Sequence, residues 1–181
     1  MVSQGRKKLK REPRRTKPTV LFVGEGKTEV AFIKHLKRLY QPERNPPIRI
    51  DVENGKDSGQ VLRTALKITA MKQYDVVVCL FDLDKVLPKG DMQRAKSKKF
   101  VLIGASPCIE GFMLDILEKA KPHHSSECKY AMHPLLAGKE TDSTSYALFS
   151  KDLLACHRKT SSNLDVILTL IESGKCKDSE R

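Results

Sequence analysis

The chain has 181 residues, a net charge of +12 and a hydrophobic content of 39%. This length suits one domain with a hydrophobic core of its own. No apolar run approaches the roughly 20 residues of a membrane span, and the basic start lacks the apolar core of a secretory signal. The five cysteines include no CxxC pair, which argues against a disulfide framework. We therefore expect a cytoplasmic protein that does not span a membrane.

Positive charge is concentrated at the start of the chain. Residues 1–18 hold eight Lys and Arg against one Glu, a net charge of +7. With so little to bury, this stretch is predicted to be a disordered basic arm. Arg14 and Arg15 make it a candidate for contacts with nucleic-acid phosphates, and a solubilising tail is the alternative.

Four strands are predicted from apolar and β-branched runs. They lie at Thr19–Val23, Ile48–Glu53, Asp75–Asp82 and Phe100–Ala105. The third run is continuously apolar, as a central parallel strand covered on both faces requires. The second alternates apolar and polar residues, which indicates a strand at or near a sheet edge.

Helical spacing of apolar residues predicts helices after these strands. They span Lys27–Tyr40, Asp57 or Ser58 to Lys72, a segment opened by Ser106-Pro107 with proline in the first turn, Ser145–His157 and Asn163–Ser173. Residues 121–144 are predicted to be rich in loops. The alternation of elements predicts an α/β fold, with a four-stranded, mainly parallel sheet sandwiched by helices. We expect a main domain at 19–120, a short helical C-terminal extension at 121–175 packed on the same domain, and a disordered tail at 176–181.

Carboxylates follow two of the predicted strands. Glu25 comes after the first strand, and Asp82 and Asp84 end the third. The carboxyl ends of parallel strands form the crevice in which open α/β sheets bind ligands. Strand alternation predicts that Asp82 and Asp84 point to the same side. Since neighbouring carboxylates repel each other and oxygen ligands suit hard cations, the pattern favours Mg²⁺ or Mn²⁺ as a cofactor.

The glycine-rich turn after the first strand invites another interpretation. Gly24-Glu25-Gly26-Lys27-Thr28 resembles the end of a phosphate-binding P-loop. The full P-loop pattern needs a glycine five residues before Gly26, and Leu21 occupies that position inside the strand. A P-loop is therefore not our primary hypothesis.

Two motifs resemble those of Toprim domains, the metal-dependent catalytic modules of topoisomerases, primases and OLD- or RloB-type nucleases. They are Glu25-Gly26-Lys27-Thr28-Glu29 and Asp82-Leu83-Asp84, and the resemblance spans about Thr19 to Leu117. Leu87 replaces the glycine typical of topoisomerases and primases, which favours the nuclease branch. Ser106-Pro107-Cys108-Ile109-Glu110 is similar to an Asn-Pro-Cys-Phe-Glu segment of RloB-like proteins.

The resemblance implies a Toprim-like Rossmannoid fold and a nuclease that hydrolyses DNA or RNA with Mg²⁺ or Mn²⁺. It implies catalytic roles for Glu25, Asp82, Asp84 and Lys27, and a metal-ligand set of Glu25, Glu29, Asp82, Asp84 and Glu110. Expected nucleic-acid contacts, besides the basic arm, are Lys85, Arg94, Lys96, Lys98 and Lys99. The plain alternative for Glu29 and Glu110 is an acid favoured in a helix's first turn, and for Lys27 an exposed turn residue.

Two other functions stay open. One is a catalytically inactive nucleic-acid-binding or regulatory module that works with a separate ATPase. The other is a nucleotide-binding phosphotransferase. The sequence does not predict the oligomeric state.

Overall fold

The centre of the fold is a parallel β-sheet. The computed structural model describes residues 18–41, 43, 49–54 and 58–175. Within them the strands are β1 (Thr19–Gly24), β2 (Arg49–Asn54), β3 (Val76–Asp82) and β4 (Val101–Ala105). They form a sheet in the order β2-β1-β3-β4, and each described pairing is parallel. The chain leaves β1 toward one edge and returns on its other side as β3, so the strand order reverses between β1 and β3.

Helices flank the sheet on both faces. The described α-helices are α1 (Lys27–Tyr40), α2 (Ser58–Met71), α3 (Lys89–Ser97), α4 (Ile109–Ile116), α5 (Ser125–Met132), α6 (Lys151–His157) and α7 (Ser162–Ser173). Short 3-10 helices lie at His133–Leu135 and Ser143–Tyr146. No helix among the described residues is long and apolar enough to cross a membrane.

Strand alternation divides the core between the two faces. In β1, Val20 and Phe22 pack with α1 and α4–α7, whereas Leu21 and Val23 pack with α2 and α3. All four side chains are buried. Each fully buried side chain of this size contributes about 1.5–3 kcal/mol to the stability of the fold, so this one strand anchors both layers.

The C-terminal segment packs on α1 through aromatic side chains. The ring centroids of Tyr146 and Phe149 lie 5.7 and 5.2 Å from that of Phe32. All three rings are buried. Residues after 120 therefore share the core on the α1 face of the sheet.

A side-chain clamp joins the starts of β1 and β3. The Asp75 carboxylate accepts hydrogen bonds from the backbone N–H and the hydroxyl of Thr19, both at 2.7 Å. The Asp75 N–H in turn donates to the Thr19 carbonyl oxygen at 3.0 Å. These bonds fix the register of the two central strands at their amino ends.

The predicted α/β fold with a parallel sheet between helices is confirmed, and three details are wrong. Pro107 is not in the first turn of a helix: its carbonyl oxygen accepts from the N–H groups of Leu83 and Asp84, and α4 begins at Ile109 after Cys108. The helix predicted at Ser145–His157 begins only at Lys151, as α6, because Ser143–Tyr146 form a 3-10 helix and Ser150 caps α6. No helix bounds were predicted for the lysine-rich segment before β4, which forms α3 and buries only Ala95 and Asp91. The loop-rich segment 121–144 contains α5, with only Cys128 and Met132 buried. The predicted basic arm, apart from residue 18, and the tail 176–181 lie outside the described residues.

Candidate active site

The candidate site lies at the carboxyl ends of β1 and β3. These strands are neighbours, and the strand order reverses between them. In open α/β sheets such a reversal leaves a crevice for ligands. The amino-terminal turns of α1 and α4 meet here. The strand ends and these helix turns carry four buried carboxylates: Glu25, Glu29, Asp82 and Glu110. We call these four residues the carboxylate cluster.

Glu25 bridges the two strand ends. Its Oε2 accepts a hydrogen bond from the backbone N–H of Asp82 at 3.2 Å. Its Oε1 accepts from Nζ of Lys85 at 2.9 Å, where the lysine side chain is 58% exposed and the glutamate side chain 9%. The site therefore has a negative interior and a positive group at its mouth.

Two glycines make room for Glu29. A Cβ at Gly24 would lie 2.7 Å from Cβ of Glu29, and one at Gly26 would lie 3.0 Å from Glu29 Oε2. That oxygen accepts a 2.8 Å hydrogen bond from the Gly26 N–H. Glu29 therefore does two things. Its carboxylate caps the first turn of α1, as the alternative interpretation predicts, and it is also buried in the candidate site.

Asp82 is the last residue of β3, and it is buried. Its Oδ1 accepts from the N–H of Ile109, the first residue of α4, at 3.0 Å. Asp84 lies outside the cluster. Because β3 ends at Asp82, the alternation of side-chain directions along a strand does not apply to Asp84. Asp84 is exposed and accepts a hydrogen bond from the Ser125 hydroxyl at the start of α5. Asp82 is in the cluster, and Asp84 is on its rim.

Glu110 enters the cluster from the first turn of α4. It is 2% exposed, and its Oε1 lies 3.2 Å from Nε2 of His133. Its Oε2 is buried and has no hydrogen-bond partner among the described residues. A buried polar atom without a partner is costly, which marks this oxygen as a place for a ligand or a proton.

Burial and mutual repulsion disfavour the ionised carboxylates. Burial, with the negative charges of Glu29, Glu25 and Glu110, raises the pKa of Asp82 to about 8. Burial likewise raises the pKa of Glu29 to about 7, opposed by its hydrogen bonds from backbone N–H groups and reinforced by the charges of Glu110 and Glu25. Both groups therefore hold protons near neutral pH, or need a cation to replace them.

The donor chemistry fits a hard divalent cation, because the cluster offers only carboxylate oxygens and one of them is unpartnered. The arrangement is not a preformed cage. Among the described residues, no group of three or more His, Cys, Asp or Glu side chains is placed to hold a metal ion. The oxygens face backbone N–H groups, Lys85 and His133 instead.

A comparison of the sequence with models of protein families identifies the family of this chain. The family model described as RloB-like protein matches residues 20–163. The chain belongs to the RloB-like family. The match covers β1 from its second residue, the other three strands, and every residue of the carboxylate cluster. Comparisons with curated proteins and with solved structures gave no significant match.

The basic residues predicted to contact nucleic acid do not form one surface in this RloB-like protein. Lys85 and Lys96 line a groove beside the cluster. Arg94 is bound to the buried Asp91 by a 2.8 Å ion pair on α3. Lys98 and Lys99 line a separate cavity at the amino ends of the strands. Lys27 is exposed at the start of α1, and the arm residues 14 and 15 lie outside the described residues.

His133 and Ser125 are the site residues that sequence reasoning missed. Both come from segments predicted to be loop-rich, and each contacts a carboxylate more than 20 residues away in sequence. The spacing of residues along the sequence does not indicate contacts over such distances in the chain. Cys108, by contrast, behaves as a small buried residue: burial raises its pKa to about 12, which keeps the thiol protonated.

Proposed function

We propose that this RloB-like protein is a divalent-metal-dependent nuclease with a Toprim-like active site. The observation that carries the proposal is the carboxylate cluster: four buried acids, two from the β1–α1 junction, one from the end of β3 and one from the start of α4, meet where the strand order reverses. Keeping four carboxylates together is costly unless they bind something positive. The motif resemblance to Toprim nucleases supports the same chemistry, and the chain's membership of the RloB-like family is compatible with it.

Each residue has a defined task in this proposal. Glu25, Glu29, Asp82 and Glu110 would hold Mg²⁺ or Mn²⁺, which would neutralise phosphate charge and acidify a bound water. Asp84 and Lys27 stand at the rim as further candidates for contact with the ion or the substrate. Lys85, exposed beside Glu25, is placed to bind a phosphate oxygen of the polyanion.

Cleavage assays test the proposal directly. The purified full-length chain with Mn²⁺ or Mg²⁺ should cut fluorescent DNA or RNA oligonucleotides, and EDTA should stop the reaction. Asp82→Asn and Glu25→Gln should each lower the cleavage rate by about 100-fold or more, as expected for groups that act at the reacting centre. Asp152→Asn and Glu127→Gln remove exposed acids outside the cluster and should cut at the parental rate.

A binding measurement makes the test independent of turnover. Mn²⁺ should raise the melting temperature of the parent and of both control variants, because a ligand that binds the folded state stabilises it. Asp82→Asn should respond much less. If Asp82→Asn and Glu25→Gln cut and respond to Mn²⁺ as the parent does, the carboxylate cluster is not the active site.

A second candidate is a nucleic-acid-binding or regulatory module without catalysis, working with a separate ATPase. The observation that favours it is the engagement of the cluster's oxygens by N–H groups, Lys85 and His133, without a metal cage among the described residues. Oligonucleotide binding with no divalent-dependent cleavage in the assay above would support this candidate over the nuclease.

A further inference from the structure

A groove of about 500 Å³ lies beside the carboxylate cluster, between the end of β3 and α3. Its floor is formed by Phe81, Leu83, Leu87 and Met92, and its rim by Lys85, Lys89 and Lys96. We call it the β3–α3 groove. Lys85 belongs both to this rim and to the cluster, through its 2.9 Å bond to Glu25. The groove therefore adjoins the candidate active site at Lys85.

The floor exposes apolar surface to solvent. Leu83 is 54% exposed, and Leu87 and Met92 are half-buried. Leu83 lies flat across Gly104, where a Cβ would come within 2.6 Å of its side chain. Exposed apolar surface next to a polar site marks a place where a ligand binds.

Two of the three rim lysines carry positive charge that the acids of the described residues leave uncompensated. Lys89 and Lys96 are exposed, lie two turns apart on one face of α3, and form no ion pair with any residue that the structure describes. Arg94 on the same helix is bound to Asp91. An apolar floor between lysines suits a ligand with apolar faces and negative charges.

We propose that the β3–α3 groove binds single-stranded nucleic acid adjoining the phosphate at the carboxylate cluster. This inference rests on the proposed nuclease function and names the form of its substrate. Unpaired bases offer apolar faces to the floor while their phosphates meet the lysines. Bases in a duplex are stacked on one another and keep those faces hidden, so the groove favours single strands.

Fluorescence anisotropy in EDTA tests the groove without cleavage, using labelled single-stranded DNA, single-stranded RNA and duplex DNA. Three double variants separate the contributions. The floor variant is Leu87→Ala with Met92→Ala, and the rim variant is Lys89→Ala with Lys96→Ala. The control variant is Lys34→Ala with Lys67→Ala, exposed lysines of α1 and α2. Thermal melts confirm that each variant is folded.

The floor variant and the rim variant should lose oligonucleotide binding in different ways. The rim variant should bind all three probes more weakly and reduce the slope of log K against log salt for single strands by about 1.4, since each lost phosphate contact removes about 0.7. The floor variant should weaken single-strand binding by about fivefold to tenfold at unchanged slope and leave duplex binding nearly intact. The control variant should leave the slope as in the parent.

Other results would overturn the inference. Equal losses for duplex and single strands in the floor variant would remove the single-strand preference. Parental oligonucleotide binding by both groove variants would leave the groove to another partner, such as a peptide. Failure of the nuclease proposal can be told apart from failure of the groove proposal. If the groove variants lose oligonucleotide binding but the parent does not cleave in Mn²⁺, only the nuclease proposal is contradicted. If the parent cleaves and both groove variants cleave with an unchanged KM, only the groove proposal is contradicted.

Discussion

Asp82 and Glu29 couple protonation to folding, because each is buried among other acids. Their pKa values in the folded chain are about 8 and about 7, against 3.8 and 4.5 for the unperturbed groups. Between those limits the folded state holds protons that the unfolded state has released. Stability is then fully present below the unfolded pKa values and falls as pH rises toward the folded ones.

We expect the free energy of unfolding, in the absence of divalent ions, to fall between about pH 4 and pH 8. Each pH unit over which only the folded state holds one proton corresponds to about 1.4 kcal/mol. Asp82→Asn keeps an oxygen for the Ile109 N–H but carries no charge, so its stability should vary less with pH and exceed that of the parent near pH 8. Urea denaturation at several pH values measures this. Parallel pH profiles for parent and variant would contradict it.

At the scale of residues, the sequence identified the acids but not their arrangement. Strand ends and motifs indicated Glu25, Asp82 and Asp84, yet the turn after Asp82 moves Asp84 to the rim. Glu29 and Glu110 had an adequate explanation as first-turn acids. Only packing shows that both helix starts face the same crevice and bury these acids there.

Among the helices, α3 and α4 each contain a glycine, in very different surroundings. A Cβ at Gly90 in α3 would meet no atom within 4 Å. A Cβ at Gly111 in α4 would lie 2.9 Å from the Ser106 carbonyl oxygen and 2.7 Å from Cδ of Pro107. The start of α4, which carries Glu110, is thus pressed against the segment that leads into it.

This contrast predicts opposite effects of one substitution. Gly90→Ala should stabilise the protein by about 0.5–1 kcal/mol, because alanine favours the helix and nothing obstructs it. Gly111→Ala should destabilise it by about 1–3 kcal/mol, since backbone must move to admit the methyl group. Chemical denaturation gives both values, and a stabilising Gly111→Ala would show that α4 is not tightly packed there.

Elements with a strong apolar pattern were predictable, and those without one were not. The spacing of Ile33 and Leu36 predicted α1 with its observed bounds, Lys27–Tyr40. Helix α3 is held by Ala95 and by the Asp91–Arg94 ion pair, which leave no periodic apolar stripe. Pro107 fits a first-turn position by composition, but the chain uses its carbonyl oxygen to hold the turn after β3.

Across the whole molecule, positive charge lies at both ends of the sheet. Lys85, which follows the carboxyl end of β3, borders the β3–α3 groove, and Lys96 borders the same groove from the last turn of α3. Lys98 and Lys99 line a cavity of about 680 Å³ with Thr19 and Asp75 at the amino ends. A strand the length of β1 separates the two ends by roughly 20 Å. Lys96 and Lys98, two residues apart in the sequence, therefore line different cavities.

We expect Lys98→Ala combined with Lys99→Ala to leave the cleavage rate at saturating oligonucleotide within about twofold of the parent, because screening weakens charge effects over such a distance. Any loss should appear in KM and disappear as salt is added. Initial rates over a range of substrate and salt concentrations measure both quantities. A large fall in the saturated rate would place these lysines in the active site and contradict the separation of the two ends.

The clamp between Thr19 and Asp75 has a mechanical consequence. Because β1 is hydrogen-bonded on both sides, a pulling force applied at Thr19 along the strand loads many bonds at once, in shear. The clamp adds the Asp75 side chain to those bonds at the point where the force enters. Tension on the chain before Thr19 would thus reach β3 through the Asp75 side chain as well as through the strand pairing.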